Sequence, residues 1–133
     1  MKPKLVIIFL VSLVIMVFSF YMLARLLGSS SGGSESVGAN VTMENGAQVI
    51  AISAKGGYTP RQTNATAGLP TVIRVTTSNS YDCSVSLAVP KLRYQRFFQP
   101  SETVDIPVTA AEARGKLSGV CGMGMYSFNI NFN

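Results

Sequence analysis

The chain has 133 residues, of which 47% are hydrophobic, and it carries a formal net charge of +5. The hydrophobic residues are densest in positions 1–27, so one apolar segment precedes a body of ordinary composition. A body of about 100 residues buries one modest core, which excludes a polytopic membrane protein, a disordered chain and a multi-domain enzyme. The absence of histidine from the sequence excludes His-based general-base catalysis, serine-type triads and most zinc enzymes. We therefore predict that the protein is not an enzyme.

The positive charge is divided unevenly along the chain. Of the 11 Lys and Arg residues, Lys2, Lys4 and Arg25 flank the apolar segment. The others are nearly balanced by the 6 Asp and Glu residues, which leaves the rest of the chain at only +2. Nucleic-acid binding requires a dense cluster of basic residues, so we expect no nucleic-acid partner.

The N-terminal segment is long enough to cross a membrane. Leu5–Ala24 contains no charged residue, and a helix of about 20 residues spans a hydrocarbon core of about 30 Å. A cleaved signal peptide, the alternative, has a shorter apolar stretch and a small-residue cleavage site. Because the apolar run continues to Leu27 without such a site, residues 1–27 are predicted to form an uncleaved transmembrane anchor.

The residues after the anchor predict a tether followed by one domain. Residues 28–40 are rich in Gly and Ser, a composition typical of a flexible linker, and residues 41–133 form the predicted domain. Lys2 and Lys4 precede the anchor and Arg25 follows it. The positive-inside rule therefore favours a cytoplasmic N-terminus and an extracytoplasmic body.

From about Val41 the hydrophobic pattern has a period of two, which is typical of half-buried β-strands. The proline at position 107 cannot donate to a sheet ladder, so the strand that contains it is predicted at a sheet edge. One helical turn at most is expected, at Ala110–Arg114. Seven or eight short strands in this length predict an all-β, two-sheet Greek-key sandwich. The predicted strands include Gln48–Ala54, Arg61–Ala67, Thr71–Thr77, Ser84–Val89, Thr103–Val108 and Tyr126–Phe132.

Four sulfur-containing residues form the most informative pattern in the body. Cys83 is predicted to open one strand, and Cys121 to close another, just before Met123 and Met125 in a loop. The glycines in Cys-Gly-Met-Gly-Met allow the loop to curl and bring three sulfurs together. Thiolate and thioether are soft ligands that select Cu(I), whereas thioether is a poor ligand for zinc. The pattern therefore predicts a Cu(I) site formed by these four residues.

Each of these features also has a purely structural explanation. Cys83 and Cys121 could form a disulfide in an oxidising compartment, and isolated methionines most often fill gaps in a core. Asp82 could orient the site, although a role as a turn residue is favoured. A second basic and aromatic group could dock an acidic partner, although a charged edge strand explains it better. This group consists of Lys91, Arg93, Tyr94, Arg96, Phe97 and Phe98.

With these residues in view, the body from about Val49 to Phe132 resembles a cupredoxin domain. Cys83 takes the place of the histidine that follows an inner strand in blue-copper cupredoxins, and Cys121 takes the place of their cysteine. A blue-copper centre with two histidines and one cysteine is impossible in a chain without histidine. The resemblance thus implies a cupredoxin-like fold with a different metal site.

Cys-Gly-Met-Gly-Met after a Pro-Ser-Glu-Thr turn is similar to cupredoxin-like domains associated with copper-exporting P-type ATPases. With one N-terminal helix, the chain looks most like the membrane-anchored Cu(I) chaperones of CupA type. The resemblance implies a two-ion Cu(I) cluster, with a tighter site at Cys83 and Cys121 and a looser one at Met123 and Met125. It also implies transfer to an exporting ATPase, which would place the body in the cytoplasm, contrary to the charge bias.

Two other functions remain open at this point. One is a cupredoxin-like redox carrier, which the layout of one helix and one β-domain suggests. The other is a membrane-anchored interaction module that is locked by a disulfide and binds no metal. The state of the two thiols and their response to Cu(I) would distinguish these alternatives from a chaperone.

Overall fold

The computed structural model describes residues 2–27 and 38–133, with side chains placed for residues 2–23 and 38–133. The N-terminal segment and the body form two separate units. The segment forms one helix, α1, at Pro3–Leu27. Its stretch Pro3–Leu23 is long and apolar enough to cross a membrane and is not buried by the rest of the protein. Residues 28–37, which contain most of the predicted tether, lie outside the described residues.

The body is a β-sandwich, as predicted, and ten strands are found in residues 38–133. The strands are β1 Val41–Glu44, β2 Ala47–Ala54, β3 Tyr58–Thr59, β4 Gln62–Ala65, β5 Thr71–Thr77, β6 Ser86–Val89, β7 Tyr94–Phe97, β8 Thr103–Val108, β9 Gly115–Cys121 and β10 Ser127–Phe132. One sheet has the order β1-β2-β5-β8, with β3 paired to β2, and the other has the order β4-β10-β9-β6-β7. The β2–β5 and β4–β10 pairs are parallel, and the remaining pairs are antiparallel.

The core lies between the two sheets and follows the alternation in the sequence. In β8, Ile106 and Val108 are buried while Asp105 and Pro107 are exposed. β8 is the edge strand of its sheet, as the proline at 107 predicted. Across the sandwich, the rings of Tyr58 and Phe128 meet edge to face with centroids 5.3 Å apart. Such a pair adds a directional contact to the burial of two large side chains.

The register of the strands places two sets of loops at opposite ends of the sandwich. At one end, β2, β5 and β9 finish while β6, β8 and β10 begin. We call this the sulfur end because both cysteines lie there. Its segments are 55–57, 78–85, 98–102 and 122–126. The other end is formed by segments 45–46, 66–70, 90–93 and 109–114.

Candidate metal centre

The structure joins the two cysteines. Cys83 and Cys121 are 38 positions apart in the chain, and they form a disulfide with their Cα atoms 5.8 Å apart. Cys121 is the last residue of β9 and is 2% exposed, while Cys83 is half-buried. The pairing of Leu87 with Cys121 in the sheet brings the beginning of β6 level with the end of β9. The sheet register therefore determines that these two sulfurs meet.

Cys83 lies in a turn and not at the first position of a strand, as the sequence had suggested. Cys83–Val85 is a short 3₁₀ turn, and β6 begins only at Ser86. Asp82 caps this turn, because its carboxylate accepts a hydrogen bond from the N–H of Ser84 at 2.8 Å. A capping carboxylate satisfies a backbone donor that the turn itself leaves open. The cap holds residues 82–85 in a turn and delays the start of the strand.

Asp82 also connects the cysteine turn to a neighbouring loop. Its second carboxylate oxygen accepts the N–H of Gly56 at 2.9 Å. The pKa of Asp82 lies below its usual value. The nearby Ser84 hydroxyl contributes most to this lowering, and the N–H groups of Ser84 and Gly56 contribute less. The carboxylate is therefore committed to backbone donors, in agreement with the structural role favoured from the sequence.

Other side chains tie the remaining loops of the sulfur end together. The Thr77 hydroxyl donates to the carbonyl of Gln99 at 2.7 Å, and the Ser80 hydroxyl donates to the carbonyl of Ala54 at 2.6 Å. Thr77 and Ser80 are themselves buried. Buried hydroxyls that bond to carbonyls of neighbouring segments fix the separation of those segments. The cysteine pair thus lies on a hydrogen-bonded framework.

The loop after Cys121 is a closed turn. The N–H of Gly124 donates to the Cys121 carbonyl at 2.8 Å, and the N–H of Tyr126 donates to the Cys121 sulfur at 3.4 Å. Gly124 has φ +71°, a left-handed conformation that glycine adopts without strain. A side chain at Gly122 would approach the Ser86 hydroxyl to 2.6 Å. Gly124 therefore adopts the backbone conformation of this turn without strain, and Gly122 leaves room for the Ser86 hydroxyl where the turn lies against β6.

Met123 and Met125 project from this turn into solvent. Their exposed fractions are 77% and 63%, so neither is the core filler that most methionines are. The structure therefore brings the two cysteines into contact and leaves the two methionines exposed on the adjoining loop. Thioether sulfur placed in this way is accessible to an ion or to a partner's ligand.

Two aromatic residues at the sulfur end were not assigned a role there from the sequence. Tyr81 lies two residues before Cys83 and is 81% exposed, and Phe97 is 72% exposed. Phe97 pairs with Ser86, whose carbonyl accepts the N–H of Gly122 at 2.9 Å. Among the residues of the body that the structure describes, the other large hydrophobic side chain with comparable exposure is Met43. We call Tyr81, Phe97, Met123 and Met125 the apolar rim.

Comparison with protein-family models gives no match, and comparison with curated protein sequences gives none either. Among solved structures, the chain is similar to the metal-binding domain of the Cu(I)-exporting P-type ATPase CopA of Streptococcus pneumoniae D39. The TM-score is 0.62 and the identity 24%, over 70% of this chain and 92% of that domain. It is also similar to a copper-binding protein solved by NMR in the apo form. The TM-score is 0.63 and the identity 24%, over 72% of this chain and 97% of that protein.

At this level of identity the two similarities establish a shared fold. The β-sandwich predicted as cupredoxin-like from the sequence is confirmed, with one apolar helix before it. The coverage of more than nine-tenths of each similar structure shows that the sandwich of this chain corresponds to a whole domain in those proteins.

Proposed function

We propose that the protein is a membrane-anchored carrier of Cu(I), a chaperone that passes the ion by ligand exchange to a copper-exporting P-type ATPase. The observation that carries the proposal is the meeting of Cys83 and Cys121 beside an exposed Cys-Gly-Met-Gly-Met loop. Sulfur donors of these two kinds favour Cu(I) over the harder metal ions. Shared fold with a domain of a Cu(I)-exporting ATPase and with a copper-binding protein supports the same function.

The form of the protein that binds copper must be the dithiol. In the disulfide form, Cys83 and Cys121 have no thiolate to offer. A thiol reductant would supply two electrons and two protons, giving two thiols here and a disulfide in the reductant. Each thiol loses its proton when it binds a metal, so the affinity for Cu(I) should rise with pH.

The four sulfurs divide into tight and weak ligands in this proposal. The thiolates of Cys83 and Cys121 hold the first Cu(I) ion, and the exposed thioethers of Met123 and Met125 hold a second ion more weakly. A sulfur of the partner can displace a thioether first, because the thioethers lie at the surface. Transfer then proceeds by exchange of ligands, without free Cu(I) and without covalent chemistry.

The apolar rim gives the transfer a docking surface. Tyr81 lies two residues before Cys83, and Phe97 pairs with Ser86 at the sulfur end. Both are exposed and carry no metal ligand, so their contribution is apolar contact with the partner. Aromatic residues are enriched at the centres of protein interfaces. Insertion of α1 in a membrane would raise the effective concentration of the carrier near a membrane-embedded exporter.

A second candidate function is favoured by the disulfide itself. If Cys83 and Cys121 stay bonded in the cell, the body is a disulfide-stabilised interaction module that binds no metal. The redox-carrier alternative has no comparable support, because the chain lacks histidine for a blue-copper centre. Labelling of the thiols in whole cells with a membrane-impermeant reagent would report both their redox state and the side of the membrane.

The test is an anaerobic titration with Cu(I) against a competing chelator. It compares the reduced protein, the disulfide form and Cys83→Ser. Two further variants are Met123→Leu/Met125→Leu and, as the matched control, Met43→Leu, which removes an exposed thioether outside the sulfur end. The number of reactive thiols is counted before each titration.

We expect the reduced protein to bind one ion tightly and a second more weakly. The disulfide form and Cys83→Ser should lose the tight ion, a change of at least about 100-fold in affinity, or about 2.7 kcal/mol. The methionine pair variant should lose only the weaker ion, and Met43→Leu should behave as wild type. Equal binding by reduced, oxidised and Cys83→Ser proteins would contradict the proposal, and a permanently bonded protein without copper uptake would favour the module.

A further inference from the structure

The end of the sandwich opposite the sulfurs collects four basic side chains from three segments of the chain. Lys91 and Arg93 lie in the 3₁₀ turn after β6 and at its C-terminal cap. Arg114 is the last residue of the connection 109–114, and Lys116 is the second residue of β9. All four residues are exposed. The Lys91 ammonium donates to the carbonyl of Arg114, which brings two of the segments into direct contact. We call these four residues the basic end.

The acidic side chains near the basic end do not neutralise it. Glu112, on which the charge of Lys91 acts, offsets only one of the four cations, and its carboxylate also accepts from the N–H and the hydroxyl of Thr109 at 3.0 and 2.8 Å. Glu44 is paired with Arg74, at 3.2 Å. The sulfur end differs, since its Arg96 and Glu102 pair with each other at 3.4 Å. The surplus of positive charge on the body is therefore concentrated at one end.

Arg93 adopts a backbone conformation that is strained for a residue with a long side chain. Arg93 caps the turn Pro90–Leu92 with φ 49°, in the left-handed region. Glycine or asparagine fills such a capping position with less strain. A long basic side chain is not what the backbone of this turn requires.

We propose that the basic end is a docking surface for the anionic headgroups of a lipid bilayer. The candidate membrane span in the same chain supplies the second observation, because insertion of Pro3–Leu23 would keep the body beside a bilayer by covalent attachment. Clustered Lys and Arg residues near a membrane bind anionic lipids, each favouring the docked state by about fivefold. Docking in this orientation directs the apolar rim and the cysteines away from the lipid, where a partner can reach them.

The inference does not depend on copper, so it and the proposed function can fail separately. The experiment uses the full chain in lipid nanodiscs of phosphatidylcholine alone or mixed with phosphatidylglycerol. A small fraction of the lipid carries a nitroxide at the headgroup. Broadening of backbone amide NMR signals then reports which residues approach the bilayer surface.

In anionic discs we expect the amides of residues 90–93 and 114–116 to broaden more than those of 122–124. The stronger broadening of the basic end should be absent in neutral discs. In anionic discs it should disappear at 0.5 M salt, where charges are screened beyond about 4 Å. Arg93→Gln/Lys116→Gln should reduce the equilibrium constant between the docked and undocked states by about 25-fold. The matched control, Lys55→Gln/Arg61→Gln, removes the same charge outside the basic end and should leave the preference intact.

Three outcomes would overturn the inference. The first is equal broadening of the basic and sulfur ends in anionic discs, and the second is the same preference in neutral discs. The third is that the basic end approaches the bilayer surface only when an acidic protein is added, which would make the basic end a protein-docking surface. Because the lipid and salt series uses the unaltered protein, the result does not depend on whether the variants fold.

Discussion

The two ends of the sandwich are formed in the same way and differ in chemistry. Both consist of connections between successive strands of the sandwich. The sulfur end carries a disulfide, buried hydroxyl bonds and four exposed apolar side chains. The opposite end carries four exposed cations, a turn closed by Thr109 and Glu112, and a hydrogen bond from Lys91 to the carbonyl of Arg114 that joins two segments. The strands hold these two surfaces apart, so changes at one end should leave the other end unaffected.

Reduction of the disulfide at the sulfur end should change the stability of the protein more than any change at the opposite end. A crosslink between positions 38 residues apart lowers the conformational entropy of the unfolded chain. In the chain-entropy description this raises the free energy of the unfolded state by about 4 kcal/mol. We expect the reduced protein to unfold at lower denaturant concentration than the oxidised protein, and Cu(I) to restore part of the loss. Denaturant unfolding of the oxidised, reduced and Cu(I)-treated protein measures this. Cys83→Ala/Cys121→Ala is the control, which should respond to neither reductant nor Cu(I).

Removal of one carboxylate from each end should separate stability from copper binding. Asp82 and Glu112 both accept backbone donors in a turn at their own end. Asp82→Ala should lower the free energy of unfolding by about 1 kcal/mol, and Glu112→Ala should lower it as well, because each removes an acceptor for backbone donors. Only Asp82→Ala should also weaken Cu(I) binding, by about tenfold, because it frees the turn that positions Cys83. A Cu(I) affinity that changes equally in both variants would contradict the assignment of Asp82 as a positioning residue.

Two left-handed glycines allow a similar comparison with a smaller effect. Gly124 in the sulfur loop has φ +71°, and Gly46 in the β1–β2 turn has φ +80°, and neither position has atoms close to an added side chain. Alanine at either site should cost about 1 kcal/mol of unfolding free energy through backbone strain alone. Gly124→Ala should in addition weaken the uptake of the second Cu(I) ion, and Gly46→Ala should not. Identical titrations of both variants would show that the shape of the loop does not control this uptake.

The smallest effect should be a pH dependence at the basic end. The N–H and then the hydroxyl of Thr109 lower the pKa of Glu112 below its usual value. The folded state then favours the ionised carboxylate, so its contribution to stability is present above the pKa of the unfolded chain and is lost as the pH falls through the folded pKa. Urea unfolding at several pH values should show wild type and Glu112→Gln converging in stability as the solution becomes acidic. A constant difference between them would show that this carboxylate does not titrate with folding.

The strands that the sequence predicted best are those with one buried face. Thr71–Thr77 and Thr103–Val108 were predicted with the bounds that the structure shows, because their side chains alternate between core and solvent. The strand Val41–Glu44 was missed, because it is mostly exposed and its sequence carries no alternation to detect. Tyr94–Phe97 is also mostly exposed; its charged residues, and not an alternation, predicted the edge strand that the structure shows there. Burial on one face, and not the ladder of hydrogen bonds, produces the signal that can be recognised in a sequence.

The sequence predicted which residues belong to a candidate site better than it predicted which of them are in contact. The Cys-Gly-Met-Gly-Met run indicated which residues belong to the sulfur end, but its spacing could not show that Cys83 meets Cys121. That contact follows from the pairing of Leu87 with Cys121, a register that depends on the whole sheet. The basic end was harder to predict from the sequence, because its cations come from separate segments of a body with a total charge near +2. Only folding brings them together.

The hydrogen bond from the Tyr126 N–H to the Cys121 sulfur has a consequence for how this protein can vary. The donor belongs to the main chain, so any residue except proline at position 126 provides it. What maintains the bond is the distance along the chain from 121 to 126, together with the turn that Gly124 allows. Side-chain replacement at Tyr126 should therefore be tolerated at this sulfur, whereas insertion or deletion of a single residue in 122–125 should remove its amide donor.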